Sequence, residues 1–190
     1  QEFSNGNISF ITFNYDRSLE QFFYESLRNT FSEVSEVEII QALKKIKILH
    51  VYGQIAPLKW QNPKDYVDYK QQIGESLLQK ASKNIRTIYE EKTNPELKEA
   101  QNILTQAEQI FILGFGYTTE NMEVLGLPEV IPPLNCSVYG TAFGMYTEEI
   151  KKKIDQFING LQRDHVGFKN KNCINIIDMD CLELLRRYLE

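Results

Sequence analysis

Residues 109–116 read QIFILGFG. A short apolar run closed at once by glycines is the pattern of a strand buried in a sheet. Gly114 and Gly116 mark its end, and Thr118 or Thr119 is placed to cap a short helix ending near Gly126. On the N-terminal side, Asn94 and Pro95 open a helix in the usual cap-then-proline order, with Leu97, Ala100, Ile103, Leu104 and Ala107 on one side. On the C-terminal side, Pro128, Pro132 and Pro133 mark a loop before a strand at 136–139. Thr147 is expected to cap the next helix, whose first turn carries Glu148 and Glu149, favourable at that end of the dipole. Its apolar face is Ile150, Ile154, Phe157, Ile158 and Leu161. A charged loop at 162–172 leads to a strand at 173–177, and Asp180 caps the last helix.

The first half has the same rhythm. Ile8 to Phe13 reads as a strand buried on both faces, followed by a helix with Leu19, Phe22, Phe23, Leu27 and Phe31 at helical spacing and Asp16 as its cap. Ser35 and Glu38 form a capping-box pattern ahead of Ile39, Ile40, Leu43 and Ile46. Residues 47–52 read as a strand ending at Gly53, and Pro57, Trp60 and Pro63 mark a loop. Residues 65–83 are expected to be helical, with a short strand from Ile85 to Tyr89.

This alternation predicts an α/β domain, 1–190, with a mostly parallel Rossmann-like sheet and helices on both faces. At 190 residues the chain is long enough for a sizeable core, and 42% apolar with 25% charged residues is ordinary for a globular protein. A net charge of -5 disfavours nucleic acid as a partner. No apolar run approaches a membrane span. Cys136, Cys173 and Cys181 are odd in number and form no C-x-x-C pair. That disfavours disulfides and structural zinc and suggests a reduced, cytoplasmic protein.

In such a sheet, ligands bind beyond the carboxyl ends of the strands. Three strand ends carry polar or glycine-rich residues: Thr12 to Asp16, His50 to Gly53 and Gly114 to Asn121. They are expected to surround one crevice. Each also has a plainer role. Asn14 and Asp16 suit a turn and a cap, His50 a hydrogen-bonded core position, and the glycines a tight turn. His165 sits in a charged loop, and the run from Glu148 to Lys153 reads as an exposed helix face.

Together FITFNYDRSLE at 10–20, ILHVYGQI at 48–55 and IFILGFGYTTEN at 110–121 resemble the sirtuin-like superfamily, above all the bacterial sirtuin-like domains of defence and uncharacterised proteins. The resemblance implies NAD as ligand. It places Thr12, Asn14 and Asp16 at the nicotinamide ribose and carboxamide. Gly114 and Gly116, with Asn121, fall on the phosphate and adenosine side. Three departures stand out. Nothing before Thr12 supplies the family's first glycine loop, so the chain is read as the portion after it. Tyr52, not histidine, precedes Gly53, leaving His50 as the candidate base on the same strand face. No pair of C-x-x-C motifs is present, which disfavours zinc-dependent deacylation.

The leading expectation is NAD binding with cleavage of its glycosidic bond in the intact protein, with anti-phage defence as the setting the resemblance implies. Asn14 would place the ribose or a water, Asp16 would hold the carboxamide and His50 would act as general base. The alternative is a non-catalytic module sensing NAD or ADP-ribose and regulating an attached domain; a purely structural α/β domain is the third reading. The 190 residues alone are expected neither to bind NAD tightly nor to cleave it, and to need their missing half or another chain, such as a second copy in a homo-oligomer, packed against them.

Overall fold

The computed structural model describes residues 8–70, 72, 74–85, 95–132, 136–164 and 174–189. They form a mixed α/β fold of short parallel strands alternating with helices. The chain divides into two compact units, Gln1–Leu97 and Lys98–Glu190.

In the first unit, β1 (Ser9–Thr12) pairs in parallel with β2 (Lys47–His50), Ser9 opposite Lys47 and Thr12 opposite His50. Between them lie α1 (Ser18–Thr30) and α2 (Glu36–Leu43). The capping box at the start of α2 is formed in full: Ser35 Oγ accepts from the Glu38 N–H, and the Glu38 side chain accepts from the Ser35 N–H. Leu27, Ile39 and Leu43 make the buried centre, with Phe23, Tyr24, Ile46 and Trp60 packed against it.

The buried face of α1 differs from the one its apolar residues suggest. Phe22 is 64% exposed and Phe31 44%, whereas Glu20 is buried at 1%. The inward stripe is Glu20, Phe23, Tyr24 and Leu27, an i, i+3, i+4, i+7 series that includes a carboxylate because a partner for it waits inside. Asp16 does not occupy the N-cap position of α1. That position is Arg17, whose side chain makes no capping bond, while Asp16 Oδ1 accepts from the Ser18 N–H at 2.9 Å.

The strand at 47–52 stops at His50, and Val51 and Tyr52 lie in the turn beyond it. The helix expected over 65–83 is confined to α3 (Glu75–Asn84). The residues before it are held in a loop by specific bonds. Asn62 Oδ1 accepts from the N–H groups of Lys64 and Asp65, and the Val67 N–H reaches the Pro57 carbonyl. Backbone groups committed in this way are unavailable to a helical ladder. The strand expected at Ile85–Tyr89 and the cap at Asn94 lie outside the described residues, apart from Ile85.

The unit boundary falls within α4 (Pro95–Leu104), which begins at the expected proline. In the second unit β3 (Gln109–Ile112), β4 (Ser137–Thr141) and β5 (Ile174–Ile177) form a parallel sheet in the order β3-β4-β5. α5 (Thr119–Leu125) follows β3, α6 (Thr147–Asp164) follows β4 and α7 (Cys181–Tyr188) closes the unit. Thr118 and Asp180 cap α5 and α7 as their sequence patterns require, and Gly126 closes α5 in the left-handed conformation at φ +69°. Thr147 is the first helical residue of α6 rather than its cap. Glu149 reaches back to accept from the Tyr146 N–H. Phe157 and Ile158 of α6 are buried, as are Val138, Ile174, Ile176 and Leu184, and α6 packs against β5. Of the charged run on α6, Lys153 is not a bystander: its Nζ donates to the Tyr117 carbonyl at 2.8 Å.

Candidate functional site

The parallel register of β1 and β2 brings Thr12 and His50 level, so both strands end at the same edge. The β1 backbone then turns tightly. The Asn14 N–H donates to Thr12 Oγ1 at 3.1 Å, and the Val51 N–H donates to the Thr12 carbonyl at 2.9 Å. Asn14, Tyr15 and Asp16 are exposed along this turn. Loop 53–70 fastens the turn from the other side. The Ile55 N–H donates to the Tyr15 carbonyl, and buried Arg17 donates from Nη1 to the Val67 carbonyl at 2.5 Å and from Nη2 to that of Asp68 at 3.4 Å. The Ser18 and Tyr69 hydroxyls are 2.9 Å apart.

His50 is 6% exposed and uses both ring nitrogens. Nδ1 lies 2.7 Å from the Asn14 carbonyl oxygen, and Nε2 lies 2.7 Å from Oε1 of Glu20. A carbonyl only accepts, so Nδ1 carries a proton and donates it. A second proton must then sit between Nε2 and Glu20, on whichever of the two holds it. Without that proton, two acceptors would face each other in a buried space. Glu20 therefore joins the site, although its residue type marks it only as a surface helix position. Its Oε2 is buried and has no hydrogen-bond partner, and Arg17, whose guanidinium interacts electrostatically with Glu20, supplies nearby positive charge.

Burial opposes charge on the imidazole. The hydrogen bonds to Glu20 and to the Asn14 carbonyl, with the charges of Glu20 and Asp16, outweigh it and hold the His50 pKa above its ordinary value. The sign of the stability effect follows. A raised folded-state pKa contributes stability that is complete below the unfolded imidazole value of about 6.5 and is lost as pH rises through the folded value. Urea denaturation between mildly acidic and mildly alkaline pH is expected to show stability falling as pH rises, with the fall absent in His50→Gln. An equal fall in both proteins would show that His50 is not its source. Asp16 has the opposite tendency. Hydrogen bonds from the Ser18 side chain and backbone hold its carboxyl below the usual range, so it remains an anion at neutral pH.

A cleft of about 250 Å³ is lined by Ile48, Leu49, His50, Gly53, Gln54, Pro57, Lys83, Asn84 and Glu96. That is smaller than ordinary ligand pockets, which run from about 300 to 1,000 Å³, and neither Asn14 nor Asp16 lines it. Among the described residues no group of three or more His, Cys, Asp or Glu side chains is placed to hold a metal ion. Cys136 is buried and Cys181 exposed, whereas Cys173 and His165 lie outside the described residues. No described helix is long and apolar enough to cross a membrane.

In the second unit the turn after β3 is built around Thr141. The Gly114 N–H donates to Thr141 Oγ1 at 2.9 Å, and that hydroxyl donates to the Ile112 carbonyl at 3.4 Å. Gly114 has φ +60°, a conformation that favours glycine. Its N–H is committed within the fold and does not point at an incoming phosphate. Gly116 has neither constraint: a side chain there would meet only Thr118 Cγ2, at 3.8 Å. Asn121 lies in the first turn of α5, its N–H bound by Thr118 Oγ1 at 3.3 Å.

Thr12, Asn14, Asp16 and His50 thus come together at one edge of the first unit, and Gly114, Gly116 and Asn121 share one strand end of the second. Sequence reasoning missed Glu20, Arg17 and Thr141. For Glu20 a signal existed: it continues the Phe23, Tyr24 and Leu27 stripe one turn earlier. None of the protein-family models, curated proteins or solved structures compared with this chain matches it.

Proposed function

We propose that the β1 strand end, Thr12 to Asp16, is a binding site for a nicotinamide nucleotide such as NAD or for ADP-ribose, and that the chain is the binding module of its protein. One observation carries this reading. His50 fixes the Asn14 backbone from below, while the Asn14 and Asp16 side chains stay exposed at the carboxyl edge of a parallel strand pair. A preorganised backbone presenting an amide and an anionic carboxylate suits a ligand carrying hydroxyl and amide donors. Asn14 would meet the ribose hydroxyls, and Asp16 would accept from the carboxamide, as the sirtuin-like pattern TFNYD implies. Binding without chemistry at His50 is favoured because both its nitrogens are occupied; a base must have one free to take a proton.

A second reading, cleavage of the glycosidic bond by the intact protein, is supported by Asp16. A carboxylate that stays ionised at the strand end favours an oxocarbenium-like ribose electrostatically. In that case Asn14 would place the water, and His50 would hold Asn14 in position instead of acting as a base.

The binding reading is tested by backbone amide resonances of the chain titrated with millimolar NAD and, separately, ADP-ribose. Shifts concentrated at Thr12–Asp16 are expected, with weak affinity, and Asn14→Ala or Asp16→Ala should each weaken binding by about tenfold or more. Shifts scattered over the surface, or indifferent to both substitutions, would refute the assignment. Nicotinamide release by the intact protein, lost in Asn14→Ala, separates cleavage from binding alone.

A further inference from the structure

We propose that Glu20 is a positioning residue: through His50 it fixes the Asn14 carbonyl, and with it the turn that presents Asn14 and Asp16. The proposal deepens the nucleotide-binding reading and rests on it.

The argument starts from the cost of putting a carboxylate where Glu20 sits. Burying a charge is unfavourable unless it is paired and hydrogen-bonded. Glu20 is 1% exposed, yet only one of its oxygens has a hydrogen-bond partner, the His50 Nε2. For stability alone a leucine would serve at this point of an otherwise apolar stripe. What a leucine could not do is set the orientation and protonation of the ring. With Glu20 on Nε2, the ring is held so that Nδ1–H points at the Asn14 carbonyl, 2.7 Å away. The line from α1 through β2 to the β1 turn therefore contains two consecutive bonds, and the second ends on the backbone of the residue whose side chain is offered to ligand.

The brace works only with its second proton present. The charged groups around it are Glu20 itself, Arg17 ahead of α1, and Asp16 on the turn, with Lys83 of α3 and Glu96 of α4 lining the cleft that His50 also lines. When the shared proton leaves, Glu20 and Nε2 become two facing acceptors, and the ring loses its hold. A glutamine at position 20 changes this logic. Its amide donates to Nε2 of a neutral ring, so Nδ1–H still reaches Asn14 and no titrating proton is needed.

The test compares wild type, Glu20→Gln and Glu20→Ala in two readouts across mildly acidic to alkaline pH. One is the resonances of the His50 ring nitrogens and of Asn14; the other is NAD affinity by titration. In wild type, the Nδ1–H bond to Asn14 and the proton shared between Nε2 and Glu20 are expected to persist above the ordinary imidazole range, with affinity falling about tenfold, the effect of one hydrogen bond, as the shared proton leaves. Glu20→Gln should keep the Asn14 resonances and lose the pH dependence. Glu20→Ala should shift the Asn14 resonances and bind about tenfold more weakly at every pH. Should Glu20→Ala not fold, wild type against Glu20→Gln decides. Unchanged Asn14 resonances and affinity in Glu20→Ala, or an undiminished pH dependence in Glu20→Gln, would overturn the proposal. If NAD perturbs no resonance in any of the proteins, the nucleotide-binding reading fails, and the Asn14 and His50 resonances still judge the brace by themselves.

Discussion

Replacing Gly53 with alanine is expected to destabilise the first unit by about 3–5 kcal/mol, among the largest effects a single methyl group can have. Two independent causes add. Gly53 has φ +78°, where a residue with a Cβ is strained by roughly 1–2 kcal/mol. That Cβ would also lie 1.9 Å from the Asn84 carbonyl oxygen and 3.1 Å from its carbon. The obstacle is backbone at the end of α3, not a side chain that can swing away. Asn84 is further tied to the same turn by its Nδ2, which donates to the Ile55 carbonyl at 3.2 Å. Relief therefore requires α3 to separate from the turn after β2. Because Gly53 N–H bonds the His50 carbonyl, the strain is transmitted to the strand end carrying the candidate site. Urea denaturation followed by circular dichroism measures the effect, and a loss below about 1 kcal/mol, no more than an ordinary surface change, would contradict it.

The second large effect belongs to the other unit and has a built-in rescue. A Cβ on Gly140, the fourth residue of β4, would come 2.2 Å from the Tyr117 hydroxyl and 3.3 Å from Ile176 Cγ1. Tyr117 cannot yield. It is 1% exposed, meets Phe115 and Phe157 edge-on, and donates from its hydroxyl to the Thr141 carbonyl at 3.1 Å. Burial pushes its phenol pKa far up, so it stays neutral and keeps its proton to donate. Gly140→Ala is expected to cost about 2–4 kcal/mol, by overpacking and by displacing a buried hydroxyl from its acceptor. Tyr117→Phe alone should cost about 1 kcal/mol. In the double variant the offending oxygen is gone and the nearest ring atom is Cζ at 3.4 Å, ordinary contact. The pair should therefore be less damaging than the sum by about 1–2 kcal/mol. Strict additivity would mean that the two positions do not meet as described.

Local signals carried the element order and three of the five expected caps among the described residues, whereas Asp16 and Thr147 fall one residue away from the cap positions their types suggest. The order of strands and helices follows from apolar runs and their punctuation, and every described strand pairing is parallel, as strand–helix alternation predicts. Caps at Ser35, Thr118 and Asp180 and the left-handed glycines at 114 and 126 depend on bonds and dihedral angles within a few residues. The helix over 65–83 went wrong where distant partners intervened: Arg17 holds the Val67 and Asp68 carbonyls from some fifty residues away, and no pattern inside the segment announces that.

The candidate site divides along the same line. By itself the sequence determined that Thr12 and His50 lie at or near strand ends with Asn14 and Asp16 in the turn that follows, since apolar pattern and turn chemistry place strand ends; that the two strands are paired neighbours came from the structure. Only the tertiary structure decided what those residues do to one another. It turned Glu20 inward and Phe22 outward on one helix, gave His50 a partner on each nitrogen, and made Gly53 indispensable through a carbonyl 31 positions later in the chain. Periodicity records how apolar a face is. It does not record which buried polar atom waits opposite, and a charge enters a core only when such an atom is already in place.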